Sequence, residues 1–160
     1  MPEYESKPLP DVVERFMRYV QIDSQSDPEH DDVTPSTPRQ HEMARYLGEE
    51  LTSLGCTDVT VDEHAYVTGT FPASPDAQSA PALMLCSHLD SVIDAPAAGI
   101  KPHIVHYEGG NLVAGVVAGE KIETTPEQVP DLEKFAGMDI VCSDGTTLLS
   151  ADDKAGVAEI

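Results

Sequence analysis

Near the start of the chain, apolar residues recur at the spacing of an α-helix. Asp11 and Glu14 match a capping box, which predicts a helix that begins at Asp11. One apolar stripe follows at helical spacing, made of Val12, Val13, Phe16, Met17 and Val20. The polar stretch 22–36 then predicts a loop.

A second helical pattern follows this loop. Thr37 is placed as its N-cap, Pro38 at the first helical position, and Gln40 completes a second capping box. Gly55 is placed to end the helix. The apolar face consists of Met43, Leu47, Leu51 and Leu54.

Strand patterns begin after Gly55. Val59 and Val61 alternate with polar residues and 66–71 is β-rich, so these two runs predict a hairpin. The Pro-, Ser- and Ala-rich stretch 72–80 predicts a loop. The continuous apolar run 82–86 is typical of a strand that is covered on both faces.

The second half of the chain continues the alternation of strands and helix. Further strands are predicted at 103–107, 112–117, 138–142 and 146–149, with a charged, proline-punctuated stretch at 119–134. A last helix is predicted from Lys154. Helices mixed with buried strands indicate an α/β layered domain.

Composition narrows the possible partners and compartments. Nine basic residues and 29 acidic residues give a formal charge of −20, which repels phosphate backbones and argues against nucleic acid as a partner. The longest apolar run, 82–86, is far shorter than the ~20 residues of a membrane span, so no membrane partner is expected.

The cysteines and the N-terminus indicate the compartment. The first residues contain neither a basic n-region nor an apolar h-region, so no secretory signal is expected. Three cysteines at wide spacing do not predict a disulfide framework. Cys86 and Cys142 each end an apolar run and are expected to be buried, and a reducing cytoplasm is the expected compartment.

The first candidate for chemistry is His88-Leu89-Asp90, directly after the predicted strand 82–86. Sites in open α/β sheets lie beyond the carboxyl ends of strands, and a neutral imidazole is a good zinc ligand. Asp90 is close enough to accept the other ring N–H, as second partners of metal-bound histidines do. The alternative is a loop histidine beside a surface aspartate, since this tripeptide pattern is common.

The second candidate is the pair Asp152-Asp153, between a predicted strand and the last helix. One carboxylate has two oxygens and can bridge two metal ions, which lie ~3.5–4 Å apart in two-metal sites. The alternative is that both aspartates only stabilise the N-terminus of the helix through its dipole.

Together, and in this order, the two segments are far more specific. Ser87-His88-Leu89-Asp90-Ser91, and Asp144–Leu149 running into Ala151–Gly156, resemble the metallopeptidases of the M20 type, and within them the tripeptide aminopeptidases. Weaker likenesses lie at Glu14–Val20, Asp23–Ser26 and Pro35–Gln40. Two departures are Ser150, where the family usually has glycine, and Pro38-Arg39 in the lead-in to the second helix.

The resemblance implies a fold and a set of roles. The fold would be a three-layer αβα zinc-peptidase-like catalytic domain, with residues 1–160 as its N-terminal part. His88 would bind one zinc ion, Asp90 would be the catalytic-site aspartate that orients His88, and Asp152 would bridge two zinc ions. The peptide bond before Asp153 would be cis. The substrates would be small peptides, cut after their first residue.

The resemblance also implies parts that lie beyond Ile160: an adjacent Glu-Glu pair with the general base, further metal ligands, and the lid or dimerisation domain. Three alternatives stay open at this point, namely an aminopeptidase part that is inactive alone, another M20-type deacylase or carboxypeptidase, and a non-catalytic α/β protein that binds metal weakly. Manganese or cobalt would also suit His and carboxylate ligands. The oligomeric state is open.

Overall fold

The structure, a computed structural model, describes residues 9–160. The three α-helices of this part are α1 (Asp11–Tyr19), α2 (Arg39–Ser53) and α3 (Ala151–Glu159), and short 3₁₀ turns lie at Pro28–His30 and Pro130–Phe135. The strands are β1 (Thr57–Val61), β2 (Val67–Thr70), β3 (His103–Tyr107), β4 (Leu112–Val117), β5 (Glu120–Thr124) and β6 (Met138–Cys142). The mixed α/β class is confirmed, and the three-layer arrangement stays a prediction.

Both predicted capping boxes are wrong, although both helices form. The N-caps are Pro10 for α1 and Pro38 for α2, and neither makes a side-chain cap. Asp11 lies inside the first turn, where its carboxylate pairs with Arg15 at 2.8 Å. The Thr37 hydroxyl is also used elsewhere, because it donates to the Gln25 carbonyl at 2.9 Å.

The glycine stop of α2 is confirmed. Gly55 has a φ of +89°, in the left-handed region that favours glycine. The Gly55 N–H donates to the Thr52 carbonyl and the Cys56 N–H to the Leu51 carbonyl, each at 3.1 Å. These two hydrogen bonds form a Schellman motif, which satisfies carbonyls at the helix end.

The described strands form antiparallel pairs: β1 with β2, β3 with β6, and β4 with β5. The predicted hairpin and the strands β3, β4 and β6 are confirmed, whereas β5 was not predicted. The strand predicted at 146–149 is wrong. Its backbone bonds to loops instead, since the Thr147 carbonyl accepts from the Ser143 hydroxyl and the Leu148 N–H donates to the Pro96 carbonyl, both at 2.8 Å.

Apolar clusters hold the helices together and fix the start of α3. Phe16 and Val20 of the first helical region pack with Ile100, and Leu149 and Ala155 lie against them. A second cluster joins Tyr19 to Met43 and Leu47 of α2. A third cluster lies among the strands and consists of Tyr107, Leu112, Leu132 and Cys142.

The run 82–86, hereafter the apolar segment, does not form the predicted covered strand. Leu83, Met84 and Leu85 are 83%, 85% and 60% exposed. Consecutive residues of an extended chain point to opposite faces, so both faces of the segment lack a covering layer among the described residues. A sequence pattern shows that a run is apolar, but it does not show whether another part of the chain covers that run.

The cysteines follow the prediction in part. Cys56, Cys86 and Cys142 are free thiols, in agreement with the expected lack of a disulfide framework. Cys142 is buried, and burial raises the pKa of its thiol. Cys86 is exposed, so its predicted burial is wrong. It ends the apolar segment, which has no covering layer among the described residues. Within residues 9–160, the helices are too short and too polar to cross a membrane.

Candidate metal site

Two distant stretches meet at the candidate site: the loop 87–91, which follows the apolar segment, and the start of α3. The Nε2 atom of His88 lies 2.9 Å from the Oδ1 atom of Asp152, across 64 positions of sequence. Both side chains reach solvent, with exposed fractions of 48% for His88 and 88% for Asp152. The two residues predicted as metal ligands are therefore brought together on an accessible surface.

Asp90 lies on the other side of the His88 ring. The Nδ1 atom of His88 is 3.1 Å from Asp90 Oδ1 and 3.2 Å from the Asp90 carbonyl oxygen. Burial alone would lower the pKa of His88, but the Asp152 hydrogen bond and the Asp90 charge outweigh it, so the pKa is raised. Each ring nitrogen thus faces an aspartate, with Asp90 placed to orient the ring.

The start of α3 departs from helical geometry at both aspartates. The backbone of Asp152 and Asp153 is non-helical, so the regular helix begins at Lys154, where it was predicted to begin. The Asp152–Asp153 peptide bond is cis, which confirms that prediction. Ser150, just before the helix, has a φ of +61°, in the left-handed region. This conformation explains why glycine would suit the position.

Asp153 is held by Ser87, the residue that precedes His88 in the loop 87–91. The Ser87 hydroxyl contacts both the carboxylate and the main-chain oxygen of Asp153, the latter at 3.0 Å. This hydrogen bond lowers the pKa of the Asp153 carboxyl. A Cβ at Gly156 would lie 2.5 Å from Asp153 Oδ1, so glycine there leaves room for the carboxylate over the first helical turn.

The donor set fits one end of a zinc site. His88 contributes an imidazole nitrogen and Asp152 a carboxylate oxygen, which are ordinary zinc donors. A metal-bound histidine usually gives its other ring N–H to a carboxylate, and Asp90 is placed for that contact. Within the described 9–160 range, His, Cys, Asp and Glu side chains form no group of three or more suited to a metal ion.

Sequence reasoning missed two side chains next to the site. Lys154 is completely buried, and its Nζ donates to the Ile22 carbonyl at 2.6 Å. Burial lowers the pKa of Lys154 to about 8. The Ser26 hydroxyl donates to Asp90 Oδ2. The sequence signal was the motif likeness at both positions, but a likeness does not say which atoms meet.

The remaining histidines with described polar partners lie outside this site. His106 Nδ1 is 2.8 Å from Asp139 Oδ1 across the β3–β6 pair. His30 Nδ1 is 2.9 Å from Asp27 Oδ2 in the loop before α2. These contacts pair both histidines with aspartates other than those of the candidate site.

The chain is similar over nearly all its length to proteins named Peptidase T. The one from Geobacillus sp. (strain WCH70) is 40% identical over 151 residues, which is 94% of this chain and 36% of that protein. The one from Aliivibrio fischeri is 43% identical over 152 residues, 95% of this chain and 36% of that protein. The one from Bacillus cereus (strain B4264) is 43% identical over 152 residues, which is 94% of this chain and 36% of that protein.

These matches confirm the likeness predicted from the motifs. The chain is homologous to proteins named Peptidase T and spans about 36% of the length of the curated relatives it matches. No protein-family model matches the chain.

Proposed function

We infer, from this homology to Peptidase T, that the chain is part of a peptidase, and we propose that it provides one end of a two-zinc aminopeptidase site for tripeptides. The observation that supports the site is the position of His88, between Asp152 at one ring nitrogen and Asp90 at the other. A metal-bound histidine usually gives its other ring N–H to a carboxylate, and the contact with Asp90 supports the proposal that His88 is a ligand.

In this proposal, His88 and Asp152 would hold zinc. The Asp90 carboxylate accepts the Nδ1 proton of His88, which leaves the Nε2 lone pair for a metal. Asp152 has two carboxylate oxygens on a side chain that is 88% exposed, so one oxygen is available to each of two ions. When bound, the two zinc ions supply activation of a water molecule and polarisation of the scissile carbonyl.

The general base is expected to come from elsewhere than the one Glu-Glu pair of this sequence. That pair, Glu49-Glu50, lies in α2, and Glu50 pairs with Arg15 and with Arg18. A base must reach the reacting water directly or through one further water. We therefore expect the 160-residue chain to bind zinc and to hydrolyse tripeptides little.

Zinc titration and peptide hydrolysis on the purified chain test this proposal. Calorimetry should show zinc binding that His88→Ala removes, and Ala-Ala-Ala should be cleaved little with or without zinc. Failure of the wild-type chain to bind zinc would refute the metal site. Sustained zinc-dependent cleavage that His88→Ala abolishes would refute the expectation that a base is missing.

A chimera tests the reaction itself. This chain would replace the matching stretch of the Bacillus cereus relative, and the product would be offered tripeptides, N-acetyl amino acids and C-terminally tagged peptides. We expect release of the N-terminal residue from tripeptides, abolished by His88→Ala. Preference for N-acetyl amino acids, or release of the C-terminal residue, would instead support a deacylase or a carboxypeptidase.

We also propose that the protein works in a reducing compartment, the cytoplasm. The support is that Cys56, Cys86 and Cys142 are all free thiols. Mass spectrometry after alkylation of freshly lysed cells should find all three thiols modified. A disulfide that persists without added oxidant would contradict this proposal.

A further inference from the structure

Asp90 uses both of its carboxylate oxygens, and the second one meets a serine. Oδ1 faces the Nδ1 atom of His88, and Oδ2 accepts a hydrogen bond from the hydroxyl of Ser26. A carboxylate that is held by one oxygen alone can rotate about its side-chain bonds. Held at both oxygens, it has one orientation, and that orientation determines where the imidazole proton is accepted.

The backbone of Ser26 is fixed beside the loop that contains Asp90. The Ser26 N–H donates to the Ser91 carbonyl at 3.0 Å, and the Ser91 N–H donates to the Ser24 carbonyl at 3.2 Å. The buried Ser24 hydroxyl adds a hydrogen bond to the Leu89 carbonyl at 2.7 Å. These three hydrogen bonds lie on both sides of Asp90, and two of them form a short parallel bridge between Gln25 and Ser91. The bridge places the Ser26 hydroxyl beside the Asp90 carboxylate.

Gln40 of α2 determines the direction of the Ser26 hydroxyl proton. Gln40 is 6% exposed, and its side-chain amide donates to the Ser26 Oγ atom at 3.2 Å and to the Ser36 Oγ atom at 3.3 Å. An amide N–H that donates to a hydroxyl oxygen leaves the hydroxyl proton free to donate to another acceptor. The acceptor in reach is Asp90, so the contact runs from Gln40 through Ser26 and Asp90 to His88.

We propose that Ser26, set by Gln40, is a positioning residue that acts through Asp90 to hold the His88 imidazole in its metal-binding orientation. The proposal rests on the proposed function for the metal, but the geometry of the contact exists without it. Outer partners of metal ligands are typically worth about 10–100-fold in metal affinity.

The test compares four variants with the wild-type chain. Ser26→Ala removes the hydroxyl, Ser26→Thr keeps it, and Gln40→Leu removes the amide that directs it. The matched control is Ser74→Ala, which removes another serine–aspartate hydrogen bond, to Asp76 at 2.7 Å in the loop 72–80. Circular dichroism first establishes that each variant is folded.

Two measurements follow at one fixed pH. The first is the ¹⁵N resonance of His88 Nδ1 in the metal-free chain, which responds to the hydrogen bond that Asp90 accepts. The second is the zinc dissociation constant by calorimetry. We expect Ser26→Ala to shift the resonance and to weaken zinc binding about tenfold, Gln40→Leu to do both to a smaller extent, and Ser26→Thr and Ser74→Ala to match the wild type.

An unchanged Nδ1 resonance in folded Ser26→Ala would overturn the proposal, whatever the zinc affinity. A shift as large in Ser26→Thr or Ser74→Ala would do so as well, because the effect would not depend on this hydroxyl. If Ser26→Ala does not fold, Gln40→Leu gives the same decision. A wild-type chain that binds no zinc would refute the proposed function, and the resonance would still decide the role of Ser26.

Discussion

The apolar segment 82–86 and the loop 87–91 are neighbours in sequence, yet the first is exposed to solvent and the second is held by distant parts of the chain. The apolar segment exposes Leu83, Met84 and Leu85 to solvent and forms no strand. The loop that follows is polar, and Ser87 and Asp90 are held by partners from distant parts of the chain. The loop 87–91 is therefore held by these hydrogen bonds and by the packing of Leu89 against the Tyr19–Met43 cluster, while the exposed apolar segment contributes little to holding it.

This difference reverses the usual order, in which burial of apolar side chains stabilises a fold more than single hydrogen bonds do. Burial of a large apolar side chain typically stabilises a fold by about 1.5–3 kcal/mol, and a single hydrogen bond by about 1 kcal/mol. Here the larger potential contribution of the apolar segment is not realised among the described residues. Four sets of measurements test what burial, polar contacts and backbone geometry contribute to the fold and the candidate site.

The largest expected effect compares two methionines. Met43 is completely buried in α2, whereas Met84 of the apolar segment is 85% exposed. Met43→Ala should lower the free energy of unfolding by about 2–5 kcal/mol, and Met84→Ala should change it by less than about 0.5 kcal/mol. Urea denaturation measures both, and a loss of similar size for Met84→Ala would show that the apolar segment is covered.

The next effect concerns the metal and compares two histidine–aspartate pairs. His88→Ala removes a proposed ligand and should weaken zinc binding by more than about 100-fold, because loss of a ligand exceeds loss of an outer partner. His106→Ala is the control, since His106 has its own aspartate, Asp139, on the β3–β6 pair. Calorimetry measures both affinities, and equal losses would place the metal elsewhere.

A smaller effect is expected at Ser150, before α3. Its φ of +61° is unfavourable for a residue with a Cβ, and its hydroxyl is buried without a described hydrogen-bond partner. Ser150→Gly should raise the free energy of unfolding by about 1 kcal/mol. Ser150→Ala is the control: it removes the hydroxyl but keeps the Cβ, so a gain as large as that of glycine would exclude the backbone as the cause.

The smallest effect concerns pH and Asp144, in the turn after β6. Hydrogen bonds from Thr146, and then the ion pair with Lys101, hold the pKa of its carboxyl well below the usual value. A lowered pKa in the folded state stabilises the fold above the unfolded pKa of about 3.9, and this contribution is lost as the pH falls through the folded pKa. Asp144→Asn should therefore be less stable than the wild type at pH 7, with a difference that shrinks below about pH 4.

Urea denaturation at several pH values measures this difference. Lys101→Gln removes one partner of the same carboxylate and should give a smaller loss with the same pH dependence. A stability difference that grows as the pH falls would contradict the assigned sign.

Local signals in the sequence predicted much of the fold. The Gly55 stop, the β1–β2 hairpin and the bounds of β3, β4 and β6 depend on alternation and turn residues, which act over a few positions. Strand β5 was missed because Ile122 is its one apolar residue, so alternation is barely visible. The apolar segment was misassigned because a covered strand depends on partners far away in sequence.

For the candidate site, the sequence predicted which residues take part but not the contacts between them. His88, Asp90 and Asp152 are identified by residue type and motif, and their meeting is what the structure adds. Ser26 and Lys154 act through contacts 64 and 132 positions away, to which no local pattern refers. A polar loop residue and a lysine in a helix would ordinarily be assigned to the surface.

The separation of 64 positions between His88 and Asp152 has a consequence for folding. The unfolded chain cannot hold these donors together without closing a long loop, which costs conformational entropy. A metal that binds both donors therefore binds the folded chain preferentially, and its binding energy adds to folding. At about 100 times its dissociation constant, such an ion adds about 2.7 kcal/mol. For this chain, the availability of metal would then control the fraction of molecules that is folded.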